Sequence, residues 1–127
     1  MDSYHTRRCS VTSGVPQGSV LGPLLFVLYI ESLLNSISLK CPNIHIFAFA
    51  DDVKLLTNDA SELQEALKVV EIWSEIWKLS IQPNKTNVAF LFSKPSTGDH
   101  HFFINNKFFP TTNSVRDLGL TLSSNLN

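Results

Sequence analysis

Residues 44–57 read IHIFAFADDVKLLT, and this stretch decides the fold prediction for the chain. Two runs rich in strand-forming residues, 44–50 and 53–57, are separated only by the acids Asp51 and Asp52. Apolar runs on both sides of a two-residue polar link are typical of a β-hairpin. The aliphatic and aromatic residues before the acids predict a buried strand that leads into an acidic turn.

The adjacent carboxylates of Asp51 and Asp52 suggest a cation site. Burying two carboxylates without a cation is unfavourable, and carboxylate oxygens are ligands that Mg²⁺ prefers. In a two-metal site such ions activate an attacking hydroxyl and stabilise the leaving oxygen of a phosphoryl transfer. An isolated Asp-Asp pair is, however, more often the polar tip of a surface turn. The rest of the chain has to decide between the two interpretations.

The composition describes one modest folded domain. Of 127 residues, 43% are hydrophobic and 17% are charged, which excludes a disordered chain or a solvated helical rod. Ten Lys and Arg against eleven Asp and Glu give a net charge of −1, without the basic surplus of proteins that grip phosphates. We therefore expect this chain alone to bind nucleic acid weakly. Cys9 and Cys41 lack disulfide or metal spacing and indicate reduced thiols in an intracellular protein.

No membrane partner is expected from the sequence. The longest apolar stretch, residues 20–30, is shorter than the roughly 20 residues that cross a bilayer. The Gly22-Pro23 interruption and the lack of a small-residue cleavage site also argue against a secretory leader.

Two helices are predicted on either side of the hairpin. A loop rich in Gly and Pro, residues 14–23, leads into a helix over 24–37 that is apolar almost all round at its beginning, so we expect its first part to be buried. Apolar residues at helical spacing over 63–77 predict an amphipathic helix with Trp73 and Trp77 in the core. At its start, Ser61 and Gln64 have the spacing of a capping box, although Asp59 also offers helix-start chemistry.

Further strands are predicted in the last third of the chain. Residues 88–92 form one strand, and residues 102–109 form a second hairpin around Asn105-Asn106. Residues 115–122 form a last strand with Gly119 as a bulge or close-approach point. Helices mixed with antiparallel strands predict an α+β fold.

Two more segments offer chemistry. The glycines of residues 14–23 let the backbone approach a ligand, and Gln17 can hydrogen-bond a base edge or a sugar. Lys85, after Pro83-Asn84, can meet a phosphate or donate a proton to a leaving pyrophosphate. An ordinary loop before a helix and a solvated lysine explain the same residues without function. His100 and His101 lack partners at metal spacing and are interpreted as loop residues.

Four segments, in this order, resemble the motifs of reverse transcriptases, most of all those of non-LTR (LINE-like, jockey/CR1-type) retrotransposons. Residues 11–26, VTSGVPQGSVLGPLLF, resemble the motif that contacts template and incoming nucleotide. Residues 49–52, FADD, resemble the catalytic hairpin. Residues 79–86, LSIQPNKT, resemble the motif whose Lys assists catalysis, and residues 117–122, DLGLTL, resemble the strand motif near the primer grip.

The resemblance implies that residues 1–127 are a partial reverse transcriptase domain. It would be part of the palm and would run from the Gly-Val-Pro-Gln motif to the primer-grip region, incomplete at both ends. The implied architecture is an antiparallel sheet whose catalytic hairpin packs on two helices. The implied activity is RNA-directed DNA synthesis, and the implied partners are an RNA template, a DNA primer, dNTPs and two Mg²⁺ ions. The implied location is intracellular, in the cytoplasm and nucleus.

The resemblance also assigns roles to individual residues. The metal ligands would be Asp51 and, in support, Asp52, and Lys85 would be the candidate proton donor. The nucleotide and the template would be contacted by Pro16, Gln17 and Gly18. The primer end would lie near Phe49, and the primer-grip region would include Leu118 and Gly119.

Departures from the family pattern bear on activity. Residues 29–33 read YIESL where YINDL is usual, and Gln82 replaces Asn. The family's first catalytic Asp lies upstream of the Gly-Val-Pro-Gln motif on another palm strand, whereas the only acid before that motif here is Asp2, with no apolar strand around it. Fingers, thumb and endonuclease domain have no counterpart in these residues. We therefore expect the isolated chain to be inactive.

Two other classes stay open. The chain is alternatively a non-catalytic retroelement remnant or a co-opted interaction module. A metal-dependent nuclease or phosphatase would share the acidic hairpin but has no need of the motif at residues 14–23.

Overall fold

The structure, a computed structural model, describes residues 18, 20–91, 101–109, 111–117 and 120–123. In this part of the chain, a hairpin of two short strands joins two long helices, and one 3₁₀ turn and six further short strands follow the second helix. In chain order the elements are α1 Gly22–Lys40, β1 His45–Phe49, β2 Asp52–Leu56, α2 Ala60–Trp77, the 3₁₀ turn Pro83–Lys85, β3 Val88–Ala89, β4 Phe102–Ile104, β5 Lys107–Phe109, β6 Thr111–Thr112, β7 Ser114–Asp117 and β8 Leu120–Ser123.

The described strands form two-stranded pairs. Three pairs, β1–β2, β4–β5 and β7–β8, are antiparallel, and β3 pairs with β6 in parallel. The predicted α+β class and both predicted hairpins are confirmed. The prediction of one last strand over 115–122 is wrong, because Ser114 pairs with Ser123 and Asp117 with Leu120, so the chain reverses between β7 and β8. Of the strand predicted over 88–92, residues 88–89 form β3 and residues 90–91 are not regular strand, while residue 92 lies outside the described residues.

Helix α2 separates two hydrophobic clusters, because apolar residues lie on two of its faces. Ala66, Val69 and Trp73 pack with buried residues of α1 and with Ile44. Leu67 packs on another side with β3, β4 and β5. Leu55 of β2 contacts both clusters. The amphipathic helix predicted over 63–77 is thus the central element of the fold, and its side chains hold both hairpins.

The beginning of α2 is capped by a different residue from the one the spacing suggested. Asp59 is the N-cap, and its carboxylate accepts hydrogen bonds from the backbone N–H groups of Ser61 and Glu62, at 2.8 and 3.4 Å. The predicted Ser61–Gln64 capping box is therefore wrong, since Ser61 lies inside the helix. Gln64 instead reaches the backbone of β4.

Helix α1 is buried at its end rather than at its beginning, contrary to the prediction. Leu33 and Ile37 are 3% and 0% exposed, whereas Leu24 and Val27 are 57% and 62% exposed. The reason is that α2 and Ile44 cover only the second half of α1. By length and composition α1 is long and apolar enough to cross a membrane, unlike the shorter stretch 20–30 considered in the sequence; the core helix of a soluble protein and a signal sequence pass the same test.

The aromatic residues at the interface of the two helices form a hydrogen-bonded cluster. The Trp73 indole N–H donates to the Ser32 hydroxyl at 2.8 Å, and the Tyr29 hydroxyl donates to the Trp77 carbonyl at 2.8 Å. Trp73 is buried as predicted, but Trp77 is 43% exposed and lies at the rim of the interface. Burial raises the pKa of the Cys41 thiol, and the negative charge of Glu62 raises it further. The raised pKa keeps the thiol protonated.

Candidate functional site

The acidic hairpin turns one residue earlier than predicted. Strand β1 pairs with β2 from His45↔Leu56 to Phe49↔Asp52, so the two-residue turn is Ala50-Asp51 and Asp52 already belongs to β2. Asp51 therefore lies at the tip, where the strict alternation of strand side chains no longer applies. Asp52 follows as the first residue of the returning strand.

Ala50 has a left-handed backbone conformation, with φ of 51°. A two-residue hairpin turn with positive φ only at its first central residue has the pattern of a type II′ turn, which favours Gly at that position. An alanine there loses about 1 kcal/mol to the contact between its Cβ and the carbonyl oxygen. The residue directly before the acidic pair is thus held in a conformation that its side chain disfavours. The number of residues between the two paired strands is the signal that could have revealed the positive φ of Ala50.

Both carboxylates are exposed to solvent. Their side chains make no ion pair with another described residue, and the strand that leads to them is itself largely exposed. The prediction of a buried strand is wrong, because only Ile46 of β1 packs against the helices while Phe47 and Phe49 are 55% and 63% exposed. Water therefore solvates Asp51 and Asp52. The described residues do not bury the two carboxylates, so no cation is needed to compensate for their burial.

No described hydrogen bond or ion pair joins the other candidate residues to the acidic turn, and some of them lie outside the described residues. Lys85 is exposed at the end of the 3₁₀ turn, where its N–H donates to the Gln82 carbonyl at 3.0 Å. It forms no described ion pair with Asp51 or Asp52. Gly18 has φ of 81°, a conformation that favours glycine, and its missing side chain would meet no atom within 4 Å. Pro16, Gln17, Leu118 and Gly119 lie outside the described residues.

The donor set at the turn fits part of a divalent-cation site. Asp51 and Asp52 supply carboxylate oxygens of the kind that Mg²⁺ uses together with water and substrate phosphates. Within the described part of the chain no third His, Cys, Asp or Glu joins them. These residues can therefore contribute to a metal site that other ligands complete.

The comparisons with known proteins define the family. A family profile described as reverse transcriptase (RNA-dependent DNA polymerase) matches residues 1–122. The chain belongs to this family, and the prediction from the four motifs is confirmed.

Among its relatives are polymerases of insect mobile elements. The chain is 32% identical over 98% of its length to the probable RNA-directed DNA polymerase from transposon BS of Drosophila melanogaster. It is also 32% identical, over 71% and 92% of its length, to the RNA-directed DNA polymerase from mobile element jockey and to the probable polymerase from transposon X-element of the same species. The chain spans 15%, 11% and 13% of these three relatives. No solved structure matches the chain.

Proposed function

We propose that this chain forms part of the palm of a retrotransposon RNA-directed DNA polymerase, and that Asp51 and Asp52 contribute to its Mg²⁺ site. The observation that carries the proposal is that Asp51 lies at the tip of a hairpin and Asp52 directly after it, in a chain whose residues 1–122 match the family. The exposure of both carboxylates leaves them accessible to a cation and to a phosphate chain.

The roles of the residues follow from their chemistry. A bound Mg²⁺ would stabilise negative charge on the reacting phosphates, and the oxygens of Asp51 and Asp52 would hold it. Lys85 would donate a proton to the leaving pyrophosphate. Pro16, Gln17 and Gly18 would line the template and nucleotide pocket, and Phe49 would lie beside the primer end. Leu118 and Gly119 would belong to the primer-grip region.

The partners in this proposal are an RNA template, a DNA primer and dNTPs in an intracellular setting, the cytoplasm or nucleus. On the same proposal the 127-residue chain is inactive alone. It has two candidate metal-binding carboxylates at the turn, and no third ligand lies near them among the described residues.

A chimera tests the proposal. Residues 1–127 replace the matching segment of the transposon BS polymerase, and primer extension on an RNA template is measured with dNTPs and Mg²⁺. We expect the chimera to extend the primer and its Asp51→Asn variant to fall to the rate without enzyme, because a carboxylate ligand is lost. The matched control is Asp59→Asn, which removes the same charge but keeps a good N-cap. A chimera whose activity survives Asp51→Asn would refute the metal role, and cDNA synthesis by the 127-residue chain itself would refute its inactivity.

A non-catalytic interaction module is the second candidate. The exposed apolar residues in the first half of α1 and on the outer face of β1 favour it, because such surface usually contacts another protein element. This alternative predicts that the chimera folds but is inactive even with both acids intact.

A further inference from the structure

The carboxylate of Glu62 joins both ends of the acidic hairpin to the first turn of α2. Its Oε1 accepts a hydrogen bond from the Asn43 backbone N–H at 3.1 Å, just before β1 begins at His45. Its Oε2 accepts from the Thr57 hydroxyl at 3.2 Å, directly after β2 ends at Leu56. We call these two hydrogen bonds the Glu62 bridge. The bridge spans the two strands at the end of the hairpin opposite to the acidic turn.

The bridge is a long-range use of a residue that usually acts locally. A glutamate at the third helical position commonly accepts from the backbone N–H of its own N-cap residue. Here the N-cap is Asp59, and its N–H donates to the Thr57 hydroxyl oxygen at 3.1 Å instead. Both carboxylate oxygens of Glu62 therefore bind the hairpin, and the Thr57 hydroxyl also connects the hairpin to the N-cap.

The turn that leads into β1 is held to the same residue by its backbone. The Cys41 thiol donates to the Glu62 carbonyl at 3.8 Å. The Ile44 N–H closes the turn by donating to the Cys41 carbonyl at 3.2 Å. Cys41 and Ile44 are both buried in the cluster that α1 and α2 share. The entry to β1 is thus fixed against α2 by the side chain and by the backbone of Glu62.

The acidic hairpin depends on polar contacts because little of it is buried. Of its two strands, Ile46 and Leu55 pack against the hydrophobic clusters, and both are only partly buried. A two-stranded hairpin on its own is marginally stable in water. The β4–β5 hairpin differs, because its Phe102 and Phe109 are buried. We therefore expect the Glu62 bridge to contribute strongly to the orientation of the acidic hairpin.

We propose that Glu62 is a positioning residue for the acidic turn. Its bridge fixes the direction of β1 and β2, and so the place at which Asp51 and Asp52 meet a cation. The constraint reaches the turn because the two strands are paired without interruption between the bridge and the turn. Carboxylates held in one orientation lose less entropy when they bind an ion, which favours binding. The inference rests on the proposed function for the metal at this turn.

A role in starting α2 would also explain a glutamate at this position. A negative charge in the first turn of a helix is favourable because of the helix dipole. Glu62→Gln separates the two roles, because it removes the charge but keeps groups that can bind both partners. The Gln oxygen can accept from the Asn43 N–H, and the Gln NH₂ group can donate to the Thr57 hydroxyl oxygen. A helix-start role predicts that Gln behaves like Ala, whereas the bridge predicts that Gln behaves like Glu.

Amide hydrogen exchange of the 127-residue chain, measured by mass spectrometry without Mg²⁺, tests the bridge. We expect Glu62→Ala to speed exchange of residues 44–57 about tenfold, because hydrogen bonds to a charged group are lost. Residues 102–109 should exchange as before. The matched control is Gln64→Ala, which should speed exchange of residues 102–109 alone, since Gln64 binds the Phe103 backbone. Glu62→Gln should exchange like the unmodified chain.

Primer extension by the chimera with the transposon BS polymerase tests the positioning role. Glu62→Ala should raise the Mg²⁺ concentration for half-maximal extension about fivefold, because the carboxylates are held less firmly. Glu62→Gln should restore the unmodified value, and Gln64→Ala should leave it unchanged. A loss of folded enzyme alone would lower the maximal rate without moving this Mg²⁺ concentration.

The bridge is overturned by unchanged exchange of residues 44–57 in Glu62→Ala, by equal acceleration of both hairpins, or by a Gln variant that behaves like Ala. An unchanged Mg²⁺ requirement in Glu62→Ala overturns the positioning role. If Glu62→Ala does not fold, Thr57→Val and Thr57→Ser replace it, because only Ser keeps the hydroxyl, and equal exchange in these two variants also overturns the bridge. A chimera that is inactive, or that survives Asp51→Asn, contradicts the metal role, whereas the exchange pattern decides the bridge independently.

Discussion

The two hairpins β1–β2 and β4–β5 have turns of the same length but opposite character. The turn Asn105-Asn106 has positive φ at both residues, 50° and 58°, which is the pattern of a type I′ turn that Asn adopts readily. The turn of β1–β2 instead places an alanine at φ of 51°. The Asn turn belongs to the hairpin with a buried face, and the strained turn belongs to the hairpin that carries the acids.

This difference indicates which hairpin is built for stability. Strain persists where the surrounding structure imposes it, and it is often found at functional sites. The hairpin β4–β5 follows its local preferences and packs against α2, whereas β1–β2 departs from them at the residue before Asp51. The strained residue is thus the direct neighbour of the acids to which the proposed function assigns the metal.

The largest expected effect comes from emptying the buried face of β4. Phe102→Ala should lower the free energy of unfolding by about 3–5 kcal/mol, because it leaves a cavity beside Leu67. Phe47→Ala on the exposed face of β1 should cost well under half as much. Urea denaturation of both variants measures the difference. Equal losses would mean that the outer face of β1 is covered in solution, and would remove the contrast between the hairpins.

A smaller effect is expected at the turns themselves. Ala50→Gly should raise the free energy of unfolding by about 0.5–1 kcal/mol, because glycine accepts positive φ without strain although it loses more backbone entropy on folding. Asn105→Gly should change it by only a few tenths of a kcal/mol, since Asn already tolerates this conformation. Thermal unfolding of the two variants gives the comparison. Destabilisation by Ala50→Gly would show that the turn is not strained in solution.

The smallest effect concerns the ion pair of Glu65 and Lys68, which directly follows Gln64 on α2. A hydrogen bond and the charge of Lys68 lower the pKa of Glu65, so this pair contributes stability above the ordinary Glu pKa and loses it as the pH falls through the lowered value. Both side chains are about half exposed, so the contribution is slight. An NMR titration of Lys68→Ala should show the Glu65 pKa rising towards its usual range. An unchanged Glu65 titration would mean that the two side chains do not pair in solution.

Sequence patterns predicted the elements well where the signal is local. The 3.6-residue period of α2, the Pro near the start of α1 and the Asn-Asn turn each depend on residues close in the chain, and each was confirmed. The errors concern boundaries and partners. The turn moved from Asp51-Asp52 to Ala50-Asp51, because the register of the strand pairing, rather than residue type, selects the turn.

The sequence predicted which residues form the candidate site, but it did not predict the surroundings of those residues. The motifs predicted Asp51, Asp52 and Lys85 as site residues, and their roles stay predictions. The sequence did not reveal that the acids would be solvated, or that Gln64 would bind the backbone of β4 across 39 positions. A glutamine on a helix carries no local signal of such a partner.

What the sequence determined by itself is therefore the family, the order of the two helices and the two hairpins, and the location of the acidic pair at the first hairpin. Only the tertiary structure decided which half of α1 is buried, which face of each hairpin is open and which residue bears positive φ beside the acids. The physical reason is that periodicity and turn chemistry act over a few residues, whereas burial depends on which distant elements pack together. The apolar start of α1 has the composition of a core segment, yet it is exposed because α2 covers the other half.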